Sequence, residues 1–196
     1  MLIKKKLLSE YGASSKTYLP FEKIFKEGEK ACHYYQIISG VVKLNHISQG
    51  SEVSQSILRK GESLCDLLLL TGEKFPVNAI AITKSNIIKI PKANFDKLLI
   101  DNSYIRNKIP EYLARRIHHN QLWLRHMTAK SADERVLGVL KFFKKLDHQY
   151  DEEFLIPYTR AQLASMTGLR VETVIRSIKK MEEKQILKLK SRKIYF

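Results

Sequence analysis

Four glycines, Gly28, Gly40, Gly50 and Gly61, fall ten to twelve residues apart in the stretch EKIFKEGEKACHYYQIISGVVKLNHISQGSEVSQSILRKGESL. That spacing leaves room for short strands joined by turns, and no helix of ordinary length fits between Tyr34 and Leu58. The region from Leu19 to about Pro91 is therefore expected to close as an antiparallel sandwich or barrel, and an early parallel βαβ unit is disfavoured. Val41-Val42-Lys43-Leu44-Asn45 carries the β-branched and apolar residues that suit a pleated, half-buried surface. A second β stretch, NAIAITKSNIIKIP, ends at Pro91.

Beyond Pro91 the period changes from two to between three and four. DNSYIRNKIPEYLARRIHHNQLWLRHM places Ile105, Ile109, Leu113, Ile117, Leu124 and Met127 at helical intervals, with Asn120 filling the one gap. From Leu113 the steps run four, three, four, three, a heptad seam of about two heptads. One reading packs this helix on its own β region. The other makes Leu113, Ile117, Asn120, Leu124 and Met127 the contact of a parallel two-helix dimer, with Asn120 fixing register against its own copy. Pro110 cannot donate to a helix ladder, so it marks a kink or the first turn. SADERVLGVLKFFKKL predicts a further helix: Ser131 can cap, Glu134 stands three residues on, and Val136, Leu140 and Phe143 share a face. DHQYDEE reads as a loop and FLIPY as a short strand or entry segment.

The chain carries 35 Lys+Arg against 20 Asp+Glu, a formal charge of +15, which predicts a polyanionic partner or an anionic membrane surface. No apolar run approaches the eighteen or so residues that a membrane span needs, and MLIKKKLLSEYG lacks the core and cleavage site of a signal peptide, so a cytoplasmic protein with no membrane partner is expected. Cys32 and Cys65 are the only cysteines, too few for a disulfide scaffold or a four-thiolate cluster.

The charge is concentrated at the end of the chain. Between Thr159 and Phe196 stand ten Lys/Arg and three Glu, net +7. Thr159 and Gln162 make a capping-box start, and Ala161, Leu163, Ala164 and Met166 supply a short amphipathic helix. Thr167-Gly168-Leu169 is a three-residue turn, and a second helix runs from about Arg170 to Glu183 with Val174, Ile178 and Met181 inward. An α-helix fills the major groove of B-DNA and reads base edges from its N-terminal residues. Arg170, Val171, Glu172, Thr173 and Arg176 are the candidate base-reading set: Glu172 can accept from a cytosine amino group and Arg176, one turn on, can donate both arms to guanine. Thr159, Arg160, Lys179, Lys180, Arg192 and Lys193 are the candidate phosphate contacts, the last two in a basic turn between two short strands that reads as a wing. The competing reading of Glu172 and Arg176 is a surface ion pair at i,i+4 spacing.

In order, IISGVVKL, KGESLCDLLLL, NAIAITKSNIIKIP, SADERVLGVLKFF and TRAQLASMTGLRVETVIRSIKKMEEKQIL resemble a bacterial Crp/Fnr-type transcription regulator from about Leu19 to the end. The resemblance implies an α+β fold: an N-terminal antiparallel β-roll (a cupin-like double-stranded β-helix), a long dimerisation helix and a C-terminal winged helix-turn-helix. Expected domains are 1–100 for the sensor, 101–129 for the helix and 130–196 for DNA binding. Double-stranded DNA on an inverted repeat and a second copy of the chain are the expected partners, with RNA polymerase as a further candidate. VETVIR matches the family's RETVxR except that Val171 replaces its first arginine, which changes the expected operator. Members that bind cyclic AMP use a Gly-Glu pair for the ribose and an arginine for the phosphate. Here Cys65-Asp66 takes the place of the pair and no arginine occurs between Arg59 and Arg106. A buried phosphate needs paired charge, so control by cyclic AMP is not expected. Cys65, Asp66, Lys74 and Asn78 mark the candidate effector pocket.

No cofactor, catalytic residue or metal ligand is assigned. His118 and His119 are adjacent and diverge by about 100° on a helix, and the β region offers only His33 and His46 toward a cupin-like metal enzyme. A winged-helix adaptor that binds protein is the other rival.

Overall fold

The computed structural model describes residues 3–48, 51–64, 66–146 and 153–196. Helix α1 (Lys5–Glu10) precedes strands β1 (Ser14–Tyr18), β2 (Lys23–Phe25), β3 (His33–Ser39), β4 (Val41–Ser48), β5 (Ser51–Arg59) and β6 (Ser63–Leu64). Helix α2 (Asp66–Thr71), strands β7 (Asn78–Ala81) and β8 (Ser85–Pro91) and helices α3 (Lys92–Asp101) and α4 (Ser103–Met127) follow. The remainder comprises α5 (Ala132–Leu146), β9 (Leu155–Ile156), α6 (Arg160–Thr167), α7 (Val171–Glu183), β10 (Lys188–Lys190) and β11 (Lys193–Tyr195). The chain divides into two compact units, Met1–Asn120 and Gln121–Phe196, and the division falls inside α4.

In the first unit, antiparallel pairing gives two four-stranded sheets, β1-β8-β3-β6 and β2-β7-β4-β5. Their facing sides bury Phe25, Ile37, Val42, Leu44, Leu58, Ala79 and Ile87, and Phe25 stacks on Phe75 at 3.8 Å. Each of the larger ones, the Phe, Ile, Leu and Val side chains, contributes about 1.5–3 kcal/mol on burial. The strands change sheet between β3 and β4 at Gly40, where φ is +96° and a Cβ would stand 2.2 Å from Ser85 Oγ. Only glycine fits that corner. Gly50 lies outside the described residues.

Strand β8 explains why Ile87-Ile88-Lys89-Ile90 departs from a strict apolar alternation. Ile87 points into the sandwich, whereas Ile88 and Ile90 pack beneath α1, α3 and the start of α4 with Ile3, Leu8, Phe95, Leu98 and Ile105. Both faces of the strand are covered. In this second layer Gln36 is fully buried, and its amide is satisfied by Ile3 N, Ile3 O and the Tyr34 hydroxyl. Helix α4 contains Pro110 seven residues past its start, so of the two readings of that proline the first-turn one does not hold: Ile105 anchors the helix on the core before the proline is reached.

In the second unit, α5 begins with the expected reciprocal cap. Ser131 N donates to Glu134 and Glu134 N to Ser131 Oγ. Val136, Leu140 and Phe143 are fully buried. FLIPY supplies β9, which pairs with β11, and β11 with β10, in a three-stranded antiparallel sheet. Of the predicted loop DHQYDEE, residues 147–152 lie outside the described residues. Trp123 is buried against Phe142, edge to face at 5.3 Å. The fold is thus α+β: an antiparallel β-roll, a long helix and a winged helix-turn-helix.

Candidate nucleic-acid interface

Thr159 N donates to Gln162 Oε1 at 2.8 Å while Thr159 Oγ1 accepts from Gln162 N at 3.2 Å, so two orphan amides at the start of α6 are satisfied reciprocally. The helix ends at Gly168, whose left-handed φ of 67° turns the chain into α7. Helix α7 is the most strongly two-faced in the molecule: Val174, Ser177, Ile178 and Met181 are buried, while Glu172, Arg176, Lys179 and Lys180 are exposed. Arg170 is its N-cap residue and is exposed; Val171 and Thr173 are half-buried on its first turn. Among the described residues no ion pair joins Glu172 to Arg176, and no carboxylate pairs with Arg170, Lys179, Arg192 or Lys193. The solvent side of α7 therefore presents Glu172, Arg176 and Lys179, which among the described residues have no ion-pair partner.

Two members of the expected phosphate set have other partners. Lys180 Nζ is 2.6 Å from Asp133 Oδ2, and Ser177 Oγ donates to Asp133 Oδ1 at 2.7 Å. Asp133, in the first turn of α5, clamps α7 to the rest of its unit. The hydrogen bonds from Lys180 and then Ser177 hold its carboxyl below the usual range, and the same contact raises the Lys180 ammonium. The Arg160 guanidinium donates to the carbonyl of Arg192, tying α6 to the turn between β10 and β11. Their place in the basic helix-turn-helix segment predicts phosphate contacts for both cations; in the structure they make these contacts within their own unit.

That turn has positive φ at Ser191 and Arg192, 49° and 63°, as a type I′ hairpin requires. Arg192 and Lys193 are exposed at its tip. Glu153 spans Lys188 and Lys190 on β10 at 2.5 and 2.6 Å, and these two contacts, Lys188 first, bring its carboxyl down to about 2. Sequence reasoning did not find Glu153 or Asp133, because each acts on cations at least 35 residues away.

The other candidate residues fall in or near the first unit. Cys65 lies outside the described residues, as does the side chain of Asp66. Lys74 is exposed and its backbone bridges Lys30. Asn78 is buried, and both ends of its amide serve the backbone, accepting from Glu27 N at 3.3 Å and donating to Asn45 O at 3.4 Å. It braces β4 and β7. Beside it Asn45 Oδ1 is buried and, among the described residues, has no hydrogen-bond partner. Along α4, Ile117 and Leu124 are 54% and 43% exposed, and Leu113 and Met127 half-buried. Asn120 is engaged within its own chain: Ser56 Oγ donates to its Oδ1 at 2.7 Å. Tyr112 and Arg116, at four-residue intervals before it, hydrogen-bond Ser63.

Two family models match the chain: the cyclic nucleotide-binding domain over residues 15–102 and the Crp-like helix-turn-helix domain over residues 134–196. The chain belongs to the Crp/Fnr-type transcription regulators. It is 22% identical over 179 residues to the transcriptional activator protein FnrA of Stutzerimonas stutzeri, covering 88% of this chain and 72% of that one. To the fumarate and nitrate reduction regulatory protein of Vibrio cholerae it is 25% identical over 179 residues, covering 88% and 70%. Among solved structures, FixK2 from Bradyrhizobium japonicum superposes with a TM-score of 0.73 at 22% identity, over 93% of this chain and 91% of that one. The c-di-GMP-responsive regulator CLP of Xanthomonas campestris gives 0.74 at 18%, over 95% and 96%. These likenesses carry the fold. Members of this Crp/Fnr-type family regulate transcription through the helix-turn-helix, and here that element is α6, Gly168 and α7. Among the described residues no helix is long and apolar enough to cross a membrane, and no three His, Cys, Asp or Glu gather as metal ligands.

Proposed function

We propose that this regulator binds an inverted repeat as a homodimer in the cytoplasm, with one α7 in each of two successive major grooves about 34 Å apart. The observation that carries the reading is the solvent face of α7, where Glu172, Arg176 and Lys179 are exposed and, among the described residues, have no ion-pair partner. Glu172 and Arg176 read a C·G-containing step, Arg170, Val171 and Thr173 the bases beside it, and Lys179, Arg192 and Lys193 hold phosphates. Thr159 retains its place beside the backbone as the cap of α6; Arg160 and Lys180 orient the module. Dimerisation is supported by the exposed stripe of Ile117 and Leu124 with Leu113 and Met127 at its margins, an apolar seam that a second copy would cover. Because Asn120 is bonded to Ser56, the register of that seam rests on its apolar residues.

Signals would pass as a population shift in which the two seams, and so the two reading heads, change spacing. Cyclic AMP is not the signal in this reading, since no arginine stands between Arg59 and Arg106 to meet its phosphate and Asn78 is spent on the backbone. RNA polymerase is the partner through which a bound dimer would act. Selection of bound sequences from a random duplex library tests the reading: it should return a two-fold symmetric site with a C·G pair in each half. An asymmetric or sequence-independent pool overturns it, and failure to bind duplex at 50 mM salt favours a protein-binding adaptor.

A further inference from the structure

On the outside of the first unit, a cavity of about 630 Å³ opens between α1, the β5–β6 turn and the first half of α4. Lys4 comes from the residue before α1, Lys60 from the turn, and Lys108 and Arg115 from α4. Two carboxylates share the lining, and both are already engaged. Glu62 accepts from Arg59 N at 2.7 Å, and Glu111 pairs with Arg115. Lys108 Nζ stands 4.5 Å over the Tyr104 ring, and among the described residues Lys4 and Lys60 have no ion-pair partner. Four cations, Lys4, Lys60, Lys108 and Arg115, thus line one space with two carboxylates, Glu62 and Glu111, leaving an excess of two positive charges.

The cavity lies on the side of α4 away from the seam. At about 100° per residue, Tyr104, Lys108, Glu111 and Arg115 fall roughly 160° to 220° round the helix from Leu113. Pairing two chains along Leu113, Ile117 and Leu124 would leave it open. It is equally distinct from the space between the two sheets. The turn carrying Lys60 is fixed to α4 by Ser63 N donating to the Tyr112 hydroxyl at 2.7 Å, so the cations come from braced elements.

We propose that this cavity is a ligand site for a small molecule bearing adjacent phosphoryl groups, such as a nucleoside triphosphate or a short polyphosphate chain. An excess of two positive charges in the lining calls for two or more negative charges on neighbouring oxygens, which a single carboxylate does not provide. The volume lies within the range of about 300–1,000 Å³ usual for such ligands. Leu7 and Ile105 add apolar lining beside the cations, which suits the base and ribose of a nucleotide.

Calorimetry on the full chain with ATP and, separately, sodium tripolyphosphate at about 150 mM salt tests this. One saturable site per chain is expected. Lys60→Gln with Lys108→Gln should weaken it about a hundredfold, at roughly tenfold per lost charge-assisted contact. Arg176→Ala with Lys179→Ala, which strips the other cationic face, should leave it unchanged. Circular dichroism and duplex binding of the cavity variant guard against misfolding, and Lys4→Gln, at an exposed position, provides an independent weakening. Tighter binding of ATP than of tripolyphosphate identifies a nucleotide; equal binding identifies the phosphate chain alone. Absence of saturable heat with both probes, or loss in the α7 variant and not in the cavity variant, overturns the proposal. The readout is independent of the DNA-binding reading.

Discussion

Lys179 and Lys180 are neighbours on α7 and equally cationic, yet their surroundings differ. Lys179 is exposed and, among the described residues, has no ion-pair partner, while Lys180 is 2.6 Å from Asp133. A phosphate contact releases counterions, and the logarithm of affinity falls against that of salt with a slope of about −0.9 for each phosphate neutralised. In a homodimer, Lys179→Ala removes two contacts and should make the slope shallower by about 1.8. Between 50 and 200 mM salt, that difference amounts to roughly a tenfold smaller loss of affinity than the parent shows. Lys180→Ala should leave the slope unchanged, because its charge is already spent within the fold. It should instead reduce affinity alike at all salt concentrations and lower the melting temperature, since α7 loses its tie to α5. Asp133→Asn should do the reverse to the slope, making it steeper as two ammonium groups are released. Fluorescence anisotropy of a labelled duplex, titrated from 50 to 300 mM salt, measures all three. Equal flattening by Lys179→Ala and Lys180→Ala would show that the Asp133 pair opens on DNA, and the reasoning from the unbound geometry would fall.

Ile117→Asp should place two carboxylates in the apolar seam, shift the chain to monomer in sedimentation experiments and weaken binding to an inverted repeat tenfold or more; an unchanged sedimentation coefficient would move the interface elsewhere. Gly40→Ala should cost roughly 3 kcal/mol or more, from the positive φ together with the clash at Ser85, seen as a lower urea midpoint. Glu153 titrates at about 2 in the fold against 4.5 ordinarily, so the unfolded chain binds more protons between those values and the contact stabilises above that window. The melting-temperature gap between the parent and Glu153→Gln should accordingly be full above pH 5 and close as pH falls toward 2.

Local physics made the winged helix-turn-helix legible in the sequence. The capping box at Thr159, the left-handed turn at Gly168 and the inward row of Val174, Ile178 and Met181 are each complete within one or two helical turns. The β-roll was legible for a similar reason: Gly28, Gly40 and Gly61 all have positive φ and mark turns between elements. Long-range pairing was not legible. Asp133 acts on Lys180 across 47 residues and Arg160 on Arg192 across 32, and nothing in the spacing of charges distinguishes such pairs from solvated ones.

Helix α4 shows the same division within a single element. A heptad count treats a helix as having one apolar stripe, yet α4 has an apolar stripe left exposed and a polar one turned to its own sheet. Asn120 satisfies both patterns, being the residue that continues Leu113 and Ile117 and also the one that continues Tyr112 and Arg116. Four-residue spacing of Tyr112, Arg116 and Asn120 was the signal for the second stripe, whose hydroxyl, guanidinium and amide meet Ser63 and Ser56. A buried polar group left without its partner costs more than an exposed one gains on pairing. Asn120 accordingly belongs with the serine that sits beside it, and in the proposed dimer the register rests on Leu113, Ile117, Leu124 and Met127.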